Sequence, residues 1–396
     1  MLFASGRLWR CPWRVAVAGE LPATLSGLGS LKSTPKMKQK EDSNRLLGEE
    51  VPSPELSRRL HAVLAGETIS PPPIWLMRQA GRYLPEYRAI RAKVPGFLAL
   101  CFNPELAAEV TLQPVTRFDL DAAILFADIL VVPHALGRRV DFVEGDGPRL
   151  DPIDVRGIER LADAFQLERL SPILETVERV RSSLAPDKSL IGFAGAPWTV
   201  ATYMIAGRGS PDQAAALEFA RANDDAMSQL LDVLANASAD YLVAQLRAGA
   251  DVVQIFDTWA GVLSDDEFRR WSIEPTADIV RQVRANEPGA KIIGFPRGVG
   301  AARLAEYVKS TGVDAVSLDP SVSLDDARLL QQSVAVQGNL DPMILRQGGA
   351  TMDAAIDQIV RGLGAGRFVF NLGHGVLPDT PPENVARLVE HVRRAR

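Results

Sequence analysis

Arg78, Arg82, Arg88 and Arg91 fall within fourteen residues, around a turn-forming Gly81 and Pro85. Guanidinium groups at this density suit a ligand rich in carboxylates, because Arg–carboxylate hydrogen bonds are charge-assisted and often bidentate. Arg78 directly follows the apolar run Ile74-Trp75-Leu76-Met77, so it is expected to emerge partly desolvated and in need of a partner. The other reading is a solvated loop whose arginines pair with Glu86. Asp128 stands between Leu125-Phe126-Ala127 and Ile129-Leu130-Val131-Val132. A carboxylate in so apolar a run is either an ion-pair member, with Arg78 or Arg82 opposite, or an anion that contacts a ligand. His374 lies between two glycines, where backbone can approach a ligand closely; it reads equally well as a structural histidine. Tyr203 is a core aromatic or a polar group at a rim. His61, His134 and His391 lack such context and are assigned no role.

These residues share a position relative to the elements around them. Short apolar runs bounded by Gly, Pro, Asp or Asn recur at Ile74–Gln79, Ala122–Phe126, Ser189–Ala194, Val252–Phe256, Lys291–Phe295, Ala315–Leu318, Ala335–Gly338 and Phe368–Leu372, the pattern of buried parallel strands. Helices with readable caps lie between them. Asn103-Pro104-Glu105 opens one, Ser264 with Glu267 and Thr380 with Glu383 have capping-box spacing, and Gly249 and Gly312 fall at expected left-handed C-terminal caps. Eight β-then-α units predict an α/β fold, a single (β/α)8 barrel over 53–396, whose chemistry sits at the C-terminal ends of the strands. A doubly wound sheet would carry a Gly-rich turn after its first strand, and GxGxxG is absent there. The stretch Ile129–Leu150 reads as a hairpin excursion. Asp128, Thr258, Arg297, Asp319, Asn339 and His374 all follow strands.

Composition bounds the rest. Of 396 residues 46% are hydrophobic and 23% charged, which excludes disorder as the main state, and a net charge of −5 argues against a general nucleic-acid binder. Two cysteines, Cys11 and Cys101, cannot form a disulfide framework and sit in no CxxC or CxH pattern, which points to a reducing compartment and away from cysteine-ligated zinc. No stretch approaches the roughly 20 apolar residues of a membrane span. Residues 1–50 differ from the remainder: they are Arg-containing and acid-poor near the start, then Ser/Gly/Lys-rich. The expectation is a disordered extension, either an organelle transit peptide or the result of a start assigned upstream of Met37, with a cytoplasmic protein in the second case.

The motifs together resemble the uroporphyrinogen decarboxylase family. Ile74-Trp75-Leu76-Met77-Arg78-Gln79-Ala80-Gly81-Arg82-Tyr83-Leu84-Pro85-Glu86-Tyr87 is similar to its N-terminal signature. Gly192-Phe193-Ala194-Gly195-Ala196-Pro197-Trp198-Thr199, continuing to Tyr203, resembles its second signature. Gln337-Gly338-Asn339-Leu340-Asp341-Pro342 and Asn371-Leu372-Gly373-His374-Gly375 resemble its C-terminal motifs. The resemblance implies a cofactor-free, metal-free decarboxylase with a single (β/α)8 barrel, usually a homodimer. Its substrate would be uroporphyrinogen III, whose four acetates become methyl groups to give coproporphyrinogen III. Carried onto this chain, it implies that Arg78 is a proton donor or the ligand of the reacting acetate, and that Arg82 and Arg91, assisted by Gln79, hold carboxylates. It also places Tyr203 near Asp128, Thr258 at a hydroxyl position that is often Ser, and His374 on a substrate carboxylate. Arg297 stands where many relatives have Lys and receives no role.

The chemistry fits those residues. Decarboxylation needs an electron sink, usually a cofactor, and protonating the pyrrole ring itself creates one within the substrate. Asp128 must then stay ionised to stabilise the cation; arginines and pyrrole N–H donors are expected to outweigh desolvation and hold its pKa down. Two other readings compete. A zinc-dependent methyltransferase of the same superfamily would need a His/Cys ligand set, and Cys101 has no HxC partner. A non-catalytic tetrapyrrole carrier would keep the arginines without needing Asp128, Tyr203 and His374 together.

Overall fold

The computed structural model describes residues 58–143 and 147–394. The extension expected over 1–50 lies outside the described residues, as do residues 144–146 of the expected hairpin excursion.

Seven strands form one parallel sheet: β1 (Ala122–Ile124), β4 (Ser189–Gly195), β5 (Val252–Asp257), β6 (Lys291–Pro296), β7 (Ala315–Ser317), β8 (Ala335–Leu340) and β9 (Phe368–Leu372), hydrogen-bonded in that order. Each except Lys291 of β6 is buried along its whole length or nearly so, as expected of parallel strands covered on both faces. Between them β2 (Val140–Val143) and β3 (Gly147–Leu150) pair antiparallel. The excursion after β1 is thus not a hairpin throughout: a short helix, Val131–Ala135, occupies its first part.

The first expected strand, Ile74–Gln79, is reduced to its beginning. Ile74 bridges Phe370 in parallel. Phe370 N–H reaches Pro73 O at 2.8 Å, and Asp121 N–H reaches Ile74 O at 2.9 Å. The segment 73–75 therefore lies between β9 and β1 and closes the sheet into a barrel. The strand stops there because later backbone donors find side chains instead. Leu76 N–H donates to Gln79 Oε1 (3.0 Å), Gln79 N–H returns to Leu76 O (3.0 Å), and Met77 N–H donates to Asn371 Oδ1 (3.0 Å). These bonds make a tight turn that presents Arg78. Similarly, β1 ends before Phe126, whose N–H is taken by Thr111 Oγ1 at 3.1 Å.

Side chains that hydrogen-bond across the barrel fix its interior. Trp75 Nε1–H donates to Gln337 Oε1 and Gln337 Nε2–H to Gln254 Oε1, each at 2.9 Å, with Ser317 Oγ as a second acceptor. Gln254 and Gln337 stand on strands that are not neighbours, so their bond spans the lumen, and every member of the set is buried. Such buried side-chain bonds specify packing because breaking one leaves a buried polar group unpaired, at a cost; Gln254 Nε2 is the member without a partner among the described residues.

Caps read from sequence hold at Asn103, which accepts from Leu106 N–H, and at Ser264–Glu267, where both halves of the capping box form. Gly312 ends its helix at φ 70 and Gly249 adopts φ 115. The box expected at Thr380–Glu383 is not made: the last helix begins at Pro382, and Thr380 Oγ1 is buried without a partner among the described residues. No helix among the described residues is long and apolar enough to cross a membrane.

Candidate active site

Arg78 takes its place through the turn at Leu76–Gln79, with a left-handed backbone (φ 60) that costs a non-glycine residue roughly 1–2 kcal/mol. Such strain gathers where surroundings over-determine it. Val376 N–H donates to Met77 O at 2.9 Å, so the loop after β9 is tied to this turn. A Cβ on Gly375 would lie 2.6 Å from Arg78 Cγ and 3.0 Å from its Cβ. The second glycine beside His374 thus makes room for an arginine of the site. Arg78 was expected to be partly desolvated; it is exposed, because the turn carries it past the barrel rim.

The four arginines divide. Arg88 donates to Arg82 O (2.8 Å) and Tyr83 O (3.0 Å), and Arg91 to Val94 O (3.1 Å), so both brace the loop. Glu86 pairs with Arg117, not with the cluster. Among the described residues no carboxylate pairs with Arg78 or Arg82. Gln79 is fully enclosed, and its amide joins Leu76 N–H and Ala122 O (3.0 Å). This inward placement corrects the expectation that Gln79 reaches a ligand; it shapes the turn under Arg78.

Asp128 follows β1, partly accessible yet surrounded by protein, and accepts from Leu130 N–H at 2.9 Å. No ion pair joins it to any arginine among the described residues. Desolvation pushes its pKa up to about 6, against the lowering effects of Leu130 N–H and the charge of Arg78. The expected balance is therefore reversed. Asp128 remains mostly ionised at neutral pH but is poised rather than held down.

Tyr203 projects from the helix Pro197–Ala206, which begins directly after β4. Burial raises its pKa, with the Trp259 side chain beside it acting oppositely, Asp128 raising and Arg78 lowering it further; the phenol is neutral. Gly209 lies under the ring, where a Cβ would meet Tyr203 Cε1 at 3.1 Å. His374 is half-buried and accepts Gly375 N–H on Nδ1 (2.7 Å), which leaves the proton on Nε2. Burial, then Arg78 and Arg297, push its pKa down to about 4, against Asp319. His374 is thus a neutral donor.

Arg78 is the common neighbour: its charge reaches Asp128, Tyr203 and His374, which come from three different strand ends. Arg91 acts instead on Tyr87 and Cys101. Thr258 is half-buried on the turn after β5, with its hydroxyl unpaired among the described residues. Sequence reasoning passed over two residues here. Arg297, set aside, brings a second positive charge to His374. Asp257, the residue before Thr258, is fully buried, and nothing in the local pattern distinguished it from any strand-end aspartate. Among the described residues no three His, Cys, Asp or Glu side chains converge as a metal-holding group.

The arrangement can bind a polyanion at the exposed guanidiniums of Arg78 and Arg82 and hold a cation against the half-buried Asp128 carboxylate. A family model described as uroporphyrinogen decarboxylase matches residues 56–395. The uroporphyrinogen decarboxylase of Agrobacterium fabrum is 57% identical over 336 residues, 85% of this chain and 97% of its own. That of Sinorhizobium fredii is 57% identical over 339 residues, 86% and 98%. Among solved structures, a methyltransferase from Methanosarcina mazei is similar with a TM-score of 0.70 at 24% identity, covering 85% of this chain and 98% of that one; at that identity the likeness concerns the fold alone. With 340 residues matched by the model, counted from 56 to 395, the chain belongs to the uroporphyrinogen decarboxylase family.

Proposed function

We propose that the barrel mouth decarboxylates the four acetate arms of uroporphyrinogen III, giving coproporphyrinogen III and four molecules of CO2, with Asp128 as the anion on which the reaction turns. The observation that carries this reading is a half-buried, desolvated carboxylate within reach of an arginine's charge and paired with no arginine among the described residues. A positively charged guest would meet an ionised, unscreened partner there.

Asp128 accepts hydrogen bonds from the pyrrole N–H groups, which lower its pKa further. Arg78 binds the reacting acetate. A guanidinium with a pKa above about 12 is a poor acid, so the proton reaches the α ring carbon, next to the one that bears the acetate arm, through a bound water or the substrate. The protonated pyrrole takes up the electron pair as the bond to CO2 breaks, and a second proton at the resulting methylene carbon, with loss of the ring proton, completes the methyl group. Asp128 stabilises the intermediate cation throughout. Arg82 holds other carboxylates, joined by the Arg91 N–H groups that the bond to Val94 O leaves over; His374 Nε2–H and the Thr258 hydroxyl donate to them, and the neutral Tyr203 phenol borders Asp128. No metal or cofactor takes part. The protein acts as a homodimer in the cytoplasm.

Purified protein incubated anaerobically with uroporphyrinogen III tests the proposal. Successive loss of four carboxyl groups is expected; substrate returned unchanged would favour a carrier and overturn it.

A further inference from the structure

Asp257 ends β5 and is fully buried, yet no cation pairs with it among the described residues. Its partners are two hydroxyls: Thr199 Oγ1–H at 2.6 Å and Ser272 Oγ–H at 2.5 Å. Ser272 comes from a π-helical turn, Arg269–Ile273, inserted between two α-helical segments. Such turns are rare and frequent at functional sites, and here the irregularity delivers the second donor. Burial raises the carboxyl's pKa to about 6, the two hydroxyls opposing; a group this costly to bury needs a use.

The use lies in what Thr199 does next. The same Oγ1 accepts Trp259 N–H at 3.1 Å, and Trp259 O accepts Trp198 Nε1–H at 3.0 Å. Asp257 O accepts Arg297 N–H at 3.1 Å. The carboxylate thereby orients one hydroxyl so that its lone pair meets a backbone donor two residues on, and the turn carrying Thr258 and Trp259 is pinned. The Trp259 side chain is near enough to Tyr203 to act on its phenol, as Asp128 also does.

We infer that Asp257 is a positioning residue for the decarboxylation, acting through Thr199 to hold the Thr258–Trp259 turn against Tyr203. This rests on the reading of Asp128 and Tyr203 given above. Misplacing a catalytic wall by a fraction of an ångström to one ångström lowers turnover by on the order of tenfold to a hundredfold. Asp257→Asn, in the full-length protein, is expected to lose kcat by that factor while KM rises by no more than about threefold, because the carboxylate-binding arginines are untouched and only the Thr258 donor shifts. Thr199→Val, which removes the hydroxyl at constant volume, should lose kcat alike. The double variant should be no worse than the worse single, since both act through one bridge. Thr199→Ser should restore turnover. Amide exchange at Trp259 should quicken in both singles, a readout independent of activity. A folded Asp257→Asn with kcat within about twofold of wild type, multiplying losses in the double variant, or unchanged exchange would overturn the inference. Should Asp257→Asn not fold, the Thr199→Val and Thr199→Ser pair decides. Asp128→Asn tests the reading of the site on its own.

Discussion

Asp128 and Arg78 lie within reach of each other's charge without forming an ion pair; the carboxylate instead accepts one backbone N–H, from Leu130. The pair is open, and a guest can enter between an anion and a cation that have not neutralised each other.

Asp128→Asn should therefore abolish most turnover, by on the order of a hundredfold or more for loss of a preorganised charge, with the fold retained by circular dichroism. Stability should move the other way. A carboxyl whose folded pKa is raised, here from 3.8 to about 6, stabilises the folded state in its protonated form. That contribution is lost as pH rises through about 6. At pH 7 the Asn variant should melt on the order of 2 °C higher; a lower Tm would contradict the desolvated placement.

The same titration predicts that kcat/KM of wild type falls as pH drops below about 6, where the free enzyme's Asp128 takes up a proton. The limb for kcat should lie lower, because a bound polypyrrole supplies donors. Coincident limbs for the two parameters would argue against contact with the pyrrole N–H groups.

His374 should show no protonation between pH 8 and 5. Its folded pKa is depressed to about 4 from 6.5, so it favours the folded state above the unfolded value and its contribution is lost as pH falls between the two. Long-range proton–nitrogen NMR should find hydrogen on Nε2 and a bare Nδ1. An imidazolium at pH 6 would make it a possible acid and remove it from the role of neutral donor.

Gly375→Ala places a methyl group against the Arg78 side chain, 2.6 Å from Cγ. Displacing that guanidinium should lower kcat/KM by at least about tenfold, the worth of one charge-assisted hydrogen bond, with little change in Tm. Arg82→Ala should raise KM by a similar factor, on the order of tenfold, with kcat less affected. An unaltered Michaelis constant would take Arg82 out of carboxylate binding.

At the opposite end of the barrel, Asp121 accepts Ile74 N–H at 2.7 Å and pairs with Arg59 and Arg393. It staples the closing segment to β1. Asp121→Ala leaves a buried donor and two half-buried cations unpaired, and should destabilise the protein by about 3 kcal/mol in denaturant unfolding, with activity per folded molecule unchanged.

Apolar periodicity, strand punctuation and turn chemistry determined the barrel by themselves, because a buried parallel strand can be little other than a short apolar run. Seven of the eight expected strands form, all within two residues of their expected ends, and Arg78, Asp128, Thr258 and His374 were recognisable as residues at or just after strand ends, while Tyr203 stayed open between core and rim. What failed was anything settled by a side chain from a distant part of the chain. The strand expected at Ile74–Gln79 dissolves into a turn because Gln79 and Asn371 claim its amides. Gln79 is spent on that turn, and Asp257 acquires meaning through Thr199 and Ser272, 58 and 15 residues away. The ionisation of Asp128 was also decided in three dimensions, since local sequence records which groups are charged but not how much water surrounds them.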